Sequence, residues 1–249
     1  MTVATAQNRF YRNLGHPTGL KSYRIVVKET DLQIHSEIDL THLASELVAQ
    51  YRGYIEGFIR CNPSFLESLV PISTDKPLPN IVREMIQAAA TAGVGPMAAV
   101  AGAIAASVGQ DLLSHTPQVI VENGGDVFVK TLRPLVMGIY AGSSPLSLRI
   151  GLRLDGGKAP IGICTSSGTV GHSMSRGRAD AVCVVSPNCA LADAAATAIG
   201  NHVRSPTDIS QAIEFGRKIA GVTGIVIIIA DRIGCWGEVA LESLKPKKG

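Results

Sequence analysis

Two residues four apart in an alanine-rich run, Asp193 and Thr197 of Leu191-Ala192-Asp193-Ala194-Ala195-Ala196-Thr197, are the pair best suited to hold a cation. In a helix, positions i and i+4 share a face, so a carboxylate and a hydroxyl would stand side by side. Hard oxygen donors of this kind suit Mg²⁺, which keeps several waters and bridges to the phosphates of a substrate. The competing reading is an ordinary exposed aspartate beside a threonine bonded to its own backbone. No other charge occurs between Ala190 and Asn201, and a lone carboxylate among alanines favours the cation.

Four further segments carry groups that a phosphorylated ligand could use. The run Ala92-Gly93-Val94-Gly95-Pro96-Met97-Ala98-Ala99-Val100-Ala101 leads small residues into a helix start, where free N–H groups favour an anion. The same small residues would also let two buried helices pack closely. Glu122-Asn123-Gly124-Gly125-Asp126 is either a plain hairpin turn or a clearing for a flat ligand that bonds to Asp126. Thr165-Ser166-Ser167-Gly168-Thr169-Val170-Gly171-His172-Ser173 offers hydroxyls and glycines to phosphate oxygens, with His172 as an acid/base group or phosphate contact. Beside it, Arg176 and Arg178 can add charge-assisted bonds to phosphate. A solvated Ser/Gly loop with incidental charges is the alternative for these last two.

The elements that must position these groups follow from periodicity. Residues 23–28 and 31–36 read as a hairpin turning at Glu29-Thr30. Asp39 or Thr41 can cap a helix reaching Arg60, with Leu43, Leu47, Tyr51, Ile55 and Phe58 on its apolar face. After a connection through Pro71, Pro77 and Pro79, helices are predicted over 81–91 and 96–113. Strands are predicted over 118–122, 126–130, 134–140, 146–154, 161–165, 181–185, 223–230 and 238–241, and helices over 190–203 and 207–220. This order implies an α+β fold, a mixed, largely antiparallel sheet covered by helices. Residues 1–249 read as a single domain with room for two lobes, without internal repeats.

Composition removes other classes. With 46% hydrophobic residues and a net charge of +3 over 249 residues, the chain is not a disordered one. No Lys/Arg stripe occurs and only 4% of residues are aromatic, which argues against nucleic acid as a partner. Residues 85–110 carry no charge and could span a bilayer by length, but Gly93, Gly95 and Pro96 break the run into two core helices. The first residues lack an apolar export segment, so a cytoplasmic protein without a membrane partner is expected. Cys61, Cys164, Cys183, Cys189 and Cys235 show no zinc-like pairing and read mostly as small buried hydrophobes.

Taken in order, AGVGPMAAVAGA, ENGGD, TSSG with His172, and ADAAAT resemble the superfamily of the ApbE flavin transferases, and more closely its UPF0280 branch. The resemblance implies an ApbE-like, T-fold-related domain. It also implies Mg²⁺ held by Asp193 and Thr197, with a backbone carbonyl near Met97, and FAD or another nucleotide as ligand. Gly95, Gly124, Gly125 and Asp126 would border the nucleotide. Thr165, Ser166, Gly168, His172 and Arg176 would lie near the pyrophosphate, with His172 and Asp193 as catalytic groups. The characterised relatives cleave FAD, move FMN onto a threonine of an acceptor protein and release AMP. Two departures stand out: the lysine those enzymes carry falls where Ala98 or Ala99 stands, and Ser173-Met174-Ser175-Arg176 replaces their Ile-Asp-Pro run. Three readings follow: a Mg²⁺-dependent flavin or nucleotide transferase, a flavin- or nucleotide-binding protein without turnover, and a participant in anaerobic sulfur assimilation toward homocysteine. A homo-oligomer is compatible with each.

Overall fold

The computed structural model describes residues 19–157, 159–168 and 177–244. The strands are β1 Lys21–Val27, β2 Thr30–Ser36, β3 Val119–Asn123, β4 Asp126–Lys130, β5 Leu135–Gly138, β6 Ile150–Leu154, β7 Ile161–Ser166, β8 Ala181–Ser186, β9 Gly224–Ile229, β10 Arg232–Gly237 and β11 Ala240–Ser243. Eight of them form one antiparallel sheet in the order β1-β2-β3-β4-β7-β8-β9-β10, and a three-stranded sheet has the order β11-β6-β5. The helices are α1 Thr41–Cys61, α2 Ser64–Glu67, α3 Asn80–Ala92, α4 Val100–Leu112, α5 Cys189–Gly200 and α6 Ile209–Gly216. The α+β expectation with a largely antiparallel sheet holds.

Both faces of the large sheet are covered, which explains why β8 (AVCVVS) and β9 (GIVIII) are buried along their whole length. One face packs Leu32, Ile34, Val121, Phe128, Ile225 and Ile227 against the helices. The other packs Ile120, Val127, Val129, Ile163, Cys183 and Ile228 against Leu135, Met137 and Leu154 of the small sheet. Helix α5 lies over β7 and β8 and touches α3, α4 and α6. Asn188 caps it, its Oδ1 accepting the Leu191 N–H at 2.9 Å. Its first residue rests directly on β7 at Gly162, where a Cβ would lie 2.4 Å from Cys189 Cα.

Several boundaries differ from expectation, each for a physical reason. The first hairpin turns at Lys28-Glu29, with Lys28 at φ 53°, because buried Thr30 begins β2 and its hydroxyl accepts from Arg52 at 2.7 Å. Neither Asp39 nor Thr41 is the cap residue of α1; Leu40 is, while Asp39 Oδ1 accepts the Thr41 N–H and hydroxyl just outside it. A 3-10 turn, Pro96–Ala99, precedes α4, because Ala99 sits at φ −112°, ψ 1°, outside the helical range. The 207–220 helix is shortened to α6, preceded by a 3-10 turn with a Ser205/Asp208 capping box. Strand β10 was not predicted from its sequence: its residues are largely exposed and two glycines interrupt any alternation. The uncharged run 85–110 falls on α3 and the segment Pro96–Leu112, bent by 106°; no single described helix is long and apolar enough to cross a membrane.

Two measurements test this packing. Gly162→Ala should destabilise the protein by about 1–3 kcal/mol in chemical denaturation, because the added methyl meets the Cys189 backbone. Gly53→Ala, on an exposed stretch of α1 with nothing within 4 Å, should instead stabilise it by about 0.5–1 kcal/mol. In the native protein, iodoacetamide should label exposed Cys61 and Cys235 within minutes and leave buried Cys164, Cys183 and Cys189 unmodified. Rapid labelling of all five would contradict the burial.

Candidate functional site

One end of the large sheet gathers the chemistry. There β3 ends at Asn123, β4 starts at Asp126 and β7 ends at Ser166. The β3–β4 hairpin turns on Gly124 and Gly125, with Gly124 at φ 75°, a conformation glycine adopts without cost. Gly125 lets the turn press on β7: its carbonyl accepts the Thr165 N–H at 3.0 Å, and a Cβ there would lie 2.6 Å from Thr165 O. Asp126 is thereby fixed directly opposite Cys164.

The helix layer brings Asp193 to the same place. On α5 every residue is buried except Asp193 and Thr197, which are half-buried on one face of an otherwise closed helix. The Asp193 carboxylate accepts the Gly102 N–H at 2.9 Å and is also hydrogen-bonded by the Ala101 backbone. These two amides belong to the first turn of α4, which has no side-chain cap of its own. Asp193 therefore supplies the missing cap from another helix. Gly102 makes this approach feasible, since a Cβ there would lie 2.8 Å from Asp193 Cβ. From the sheet, Asn123 Nδ2 donates to Ala101 O at 3.1 Å and holds the same turn.

Electrostatically this is an acidic site. Burial pushes the Asp193 carboxyl well above the usual range, the charge of Asp126 adds to the rise, and the Gly102 and Ala101 amides oppose it. No basic side chain among the described residues forms an ion pair with Asp193. The Thr197 hydroxyl has no hydrogen-bond partner among the described residues, so it is not spent on its own backbone. Two carboxylates and a free hydroxyl fit a hard cation. Among the described residues no three His, Cys, Asp or Glu side chains converge to cage a metal. A cation here would complete its shell with carbonyls, water and ligand phosphates, which is the habit of Mg²⁺.

The remaining sequence-predicted residues divide. Met97 O accepts the Val100 N–H within the 3-10 turn that leads into α4, and Met97 itself is partly exposed. Gly95 is explained by packing, since a Cβ there would lie 1.8 Å from Ser68 O, where the chain after α2 crosses it. Thr165 and Ser166 end β7, and Gly168 follows with its N–H bonded to Ala179 O at 2.9 Å. His172 and Arg176 lie outside the described residues. The sequence reading missed Asn123 as a brace, Gly102 as the amide donor and a thiol pair, Cys164 and Cys189, beneath the carboxylates. Asn123 could have been noticed as the polar residue at the turn that follows the apolar run Val119-Ile120-Val121; Gly102 carried no signal.

Comparison with known proteins identifies the family and the fold. A family profile described as AbpE bacteria matches residues 14–238. A UPF0280 protein of Methanococcus aeolicus is 39% identical over 222 residues, covering 87% of this chain and 90% of that protein. One from Methanopyrus kandleri is 40% identical over 223 residues, covering 87% and 90%. Among solved structures, the flavin transferase ApbE from Vibrio cholerae superposes with a TM-score of 0.57 at 12% identity, covering 89% of this chain and 97% of that one. The apo flavinyl transferase ApbE from Pseudomonas stutzeri gives 0.54 at 12% identity, covering 88% and 94%. At such identities the structural likeness speaks for the fold. The chain belongs to the UPF0280 family and has an ApbE-like fold.

Proposed function

We propose that this chain is a Mg²⁺-dependent flavin- or nucleotide-binding protein of the cytoplasm that cleaves the pyrophosphate of FAD and transfers FMN to an acceptor hydroxyl. The observation that carries the reading is the half-buried Asp193–Thr197 pair on a helix whose other residues are buried. The solved neighbours, named as flavin transferases, make FAD the first ligand to test.

In this reading Asp193, Thr197 and Asp126 hold the cation, with a carbonyl near Met97 as a further donor. Capping α4 uses two of the roughly four lone-pair positions of the Asp193 carboxylate, so the cap and a cation can share it. When bound, Mg²⁺ supplies positive charge against the pyrophosphate oxygens and the charge that develops on departing AMP. Gly124 and Gly125 turn the hairpin tightly against β7 and so place Asp126 toward the nucleotide, and Gly95 keeps the turn before Met97 in place. Thr165, Ser166 and Gly168 border the phosphates, where Arg176 adds a charge-assisted bond. His172 donates a proton to the leaving phosphate of AMP.

A second reading, ligand binding without cleavage, is favoured by one observation. Flavin transferases carry a lysine where Ala98 or Ala99 stands, and Ala98 is partly exposed beside the site with only a methyl group to offer.

Mixing the protein with FAD, with and without Mg²⁺, and separating the products by chromatography tests both. Mg²⁺-dependent AMP release that EDTA stops is the expected result. Tight flavin binding without AMP supports the second reading, and neither binding nor release defeats both. Asp193→Asn should abolish Mg²⁺-dependent binding while keeping the fold, because the amide oxygen still accepts from Gly102. Thr197→Val should weaken Mg²⁺ by about tenfold, or about 1.4 kcal/mol. His172→Ala should slow AMP release about 10²-fold with little change in FAD affinity; an equal loss of binding would make His172 a ligand contact only.

A further inference from the structure

Beneath the two carboxylates lies a pair of thiols that the proposed chemistry does not use. Cys164 Sγ is 3.6 Å from Cys189 Sγ and donates to Cys189 O at 3.3 Å, and neither residue is in a disulfide. Both positions are tied to the acidic site by the architecture. Cys164 stands cross-strand from Asp126 on β4 and β7. Cys189 opens α5 one helical turn before Asp193, so Cys189, Asp193 and Thr197 follow one face at i, i+4 and i+8. The two thiols are buried, and the two carboxylates are half-buried.

We propose that Cys164 and Cys189 are a redox modification site, closing to a disulfide in the presence of a peroxide and thereby loosening the cation site at Asp193. The coupling to the cation rests on the function proposed above; the disulfide does not. Cys189 is the thiol oxidised first. The contact with Cys164 lowers Cys189, but burial and the two carboxylates more than offset this and leave it above the ordinary thiol range. Cys164 is pushed well above that range, chiefly by burial, and stays protonated until it resolves the intermediate.

The atoms balance simply. Cys189 thiolate attacks one oxygen of hydrogen peroxide, breaking the O–O bond to give a sulfenic acid and hydroxide. Cys164 sulfur then attacks the Cys189 sulfur and displaces that hydroxyl. The thiol proton of Cys164 leaves with it as water, and the hydroxide of the first step takes up the proton given up by Cys189. Two thiols and one peroxide give one disulfide and two waters. Peroxide is close to water in size and can use the 3% of Cys189 that is exposed, whereas a bulky alkylating reagent needs more.

Closing the pair from 3.6 Å to about 2.05 Å draws the first turn of α5 and β7 together by up to about 1.5 Å. Because Gly162 already brings Cys189 against the β7 backbone, the helix has little room to absorb this locally. The shift passes along α5 to Asp193 one turn away. Cys183 makes an internal control, as it faces the other side of the sheet with the small-sheet core.

The test uses the full chain in a Cys61→Ser/Cys235→Ser background, treated with hydrogen peroxide, then denatured, alkylated and analysed by mass spectrometry. Expected are a loss of two hydrogens, a peptide cross-linked through Cys164 and Cys189, and an alkylated Cys183. Mg²⁺ affinity should fall about tenfold and return with dithiothreitol. Cys164→Ser in that background should keep its Mg²⁺ affinity under the same treatment. Recovery of both thiols after a dose that oxidises Cys61 in the parent chain overturns the modification site. A cross-link that leaves Mg²⁺ affinity unchanged overturns the coupling. A reduced protein that binds no Mg²⁺ also removes the coupling and the cation reading, while the cross-link is still read directly from the masses.

Discussion

The contact on which the site depends is the one between the Asp193 carboxylate and the first turn of α4. A helix start that lacks its own cap leaves N–H groups without partners, and burying them would be costly. Here the cap arrives from another helix, across a glycine that has no side chain to obstruct it. The bond serves two purposes. It joins α4 to α5 in the middle of the helix layer, and it orients a carboxylate that would otherwise have several rotamers to choose from. Asn123 reinforces the arrangement from below, so the sheet, α4 and α5 meet through three polar groups.

That geometry sets up an electrostatic tension. The α4 amides favour a negative charge, while burial and the nearby Asp126 oppose it. The thiols beside them supply no positive charge to offset it. A proton resolves the tension, and so does a cation. In the reading proposed above the Thr197 hydroxyl, which has no hydrogen-bond partner among the described residues, adds an oxygen on the same face that a cation could use and a proton does not need. A purely structural cap would leave Thr197 without a purpose in a helix otherwise made of buried apolar residues.

Legibility in the sequence followed the range of the interactions. Asp193 and Thr197 were readable because i,i+4 spacing is local and because alanines make a polar residue conspicuous. The hairpin at Gly124-Gly125 and the helix end at Gly93 were readable for the same reason, since glycine marks left-handed backbone. Partnerships across the fold were not. Nothing near Gly102 announces that an aspartate 91 residues later will bond to its amide. The cysteines were countable, but pairing Cys164 with Cys189 needed the register of β4 and β7 and the placement of α5 on Gly162. Strand β10 was missed because an exposed edge strand lacks the apolar alternation by which strands are found.

Several glycines also changed meaning once their neighbours were known. A glycine-rich segment invites a ligand because the backbone is open, yet Gly95, Gly125 and Gly168 are each filled by another part of the chain: Ser68, Thr165 and Gly177. The open surface falls elsewhere, at Met97 and Ala98, Asp126, Asp193 and Thr197, all partly exposed around one end of the sheet, while Thr165 turns its hydroxyl to Cys183 on the other face. The glycines therefore act one step back from any ligand, letting backbones cross so that a few oxygen-bearing side chains converge. This arrangement separates the fold from the reaction. The close crossings hold the oxygens together whatever stands at Ala98, so the same backbone arrangement can carry different side chains at that position.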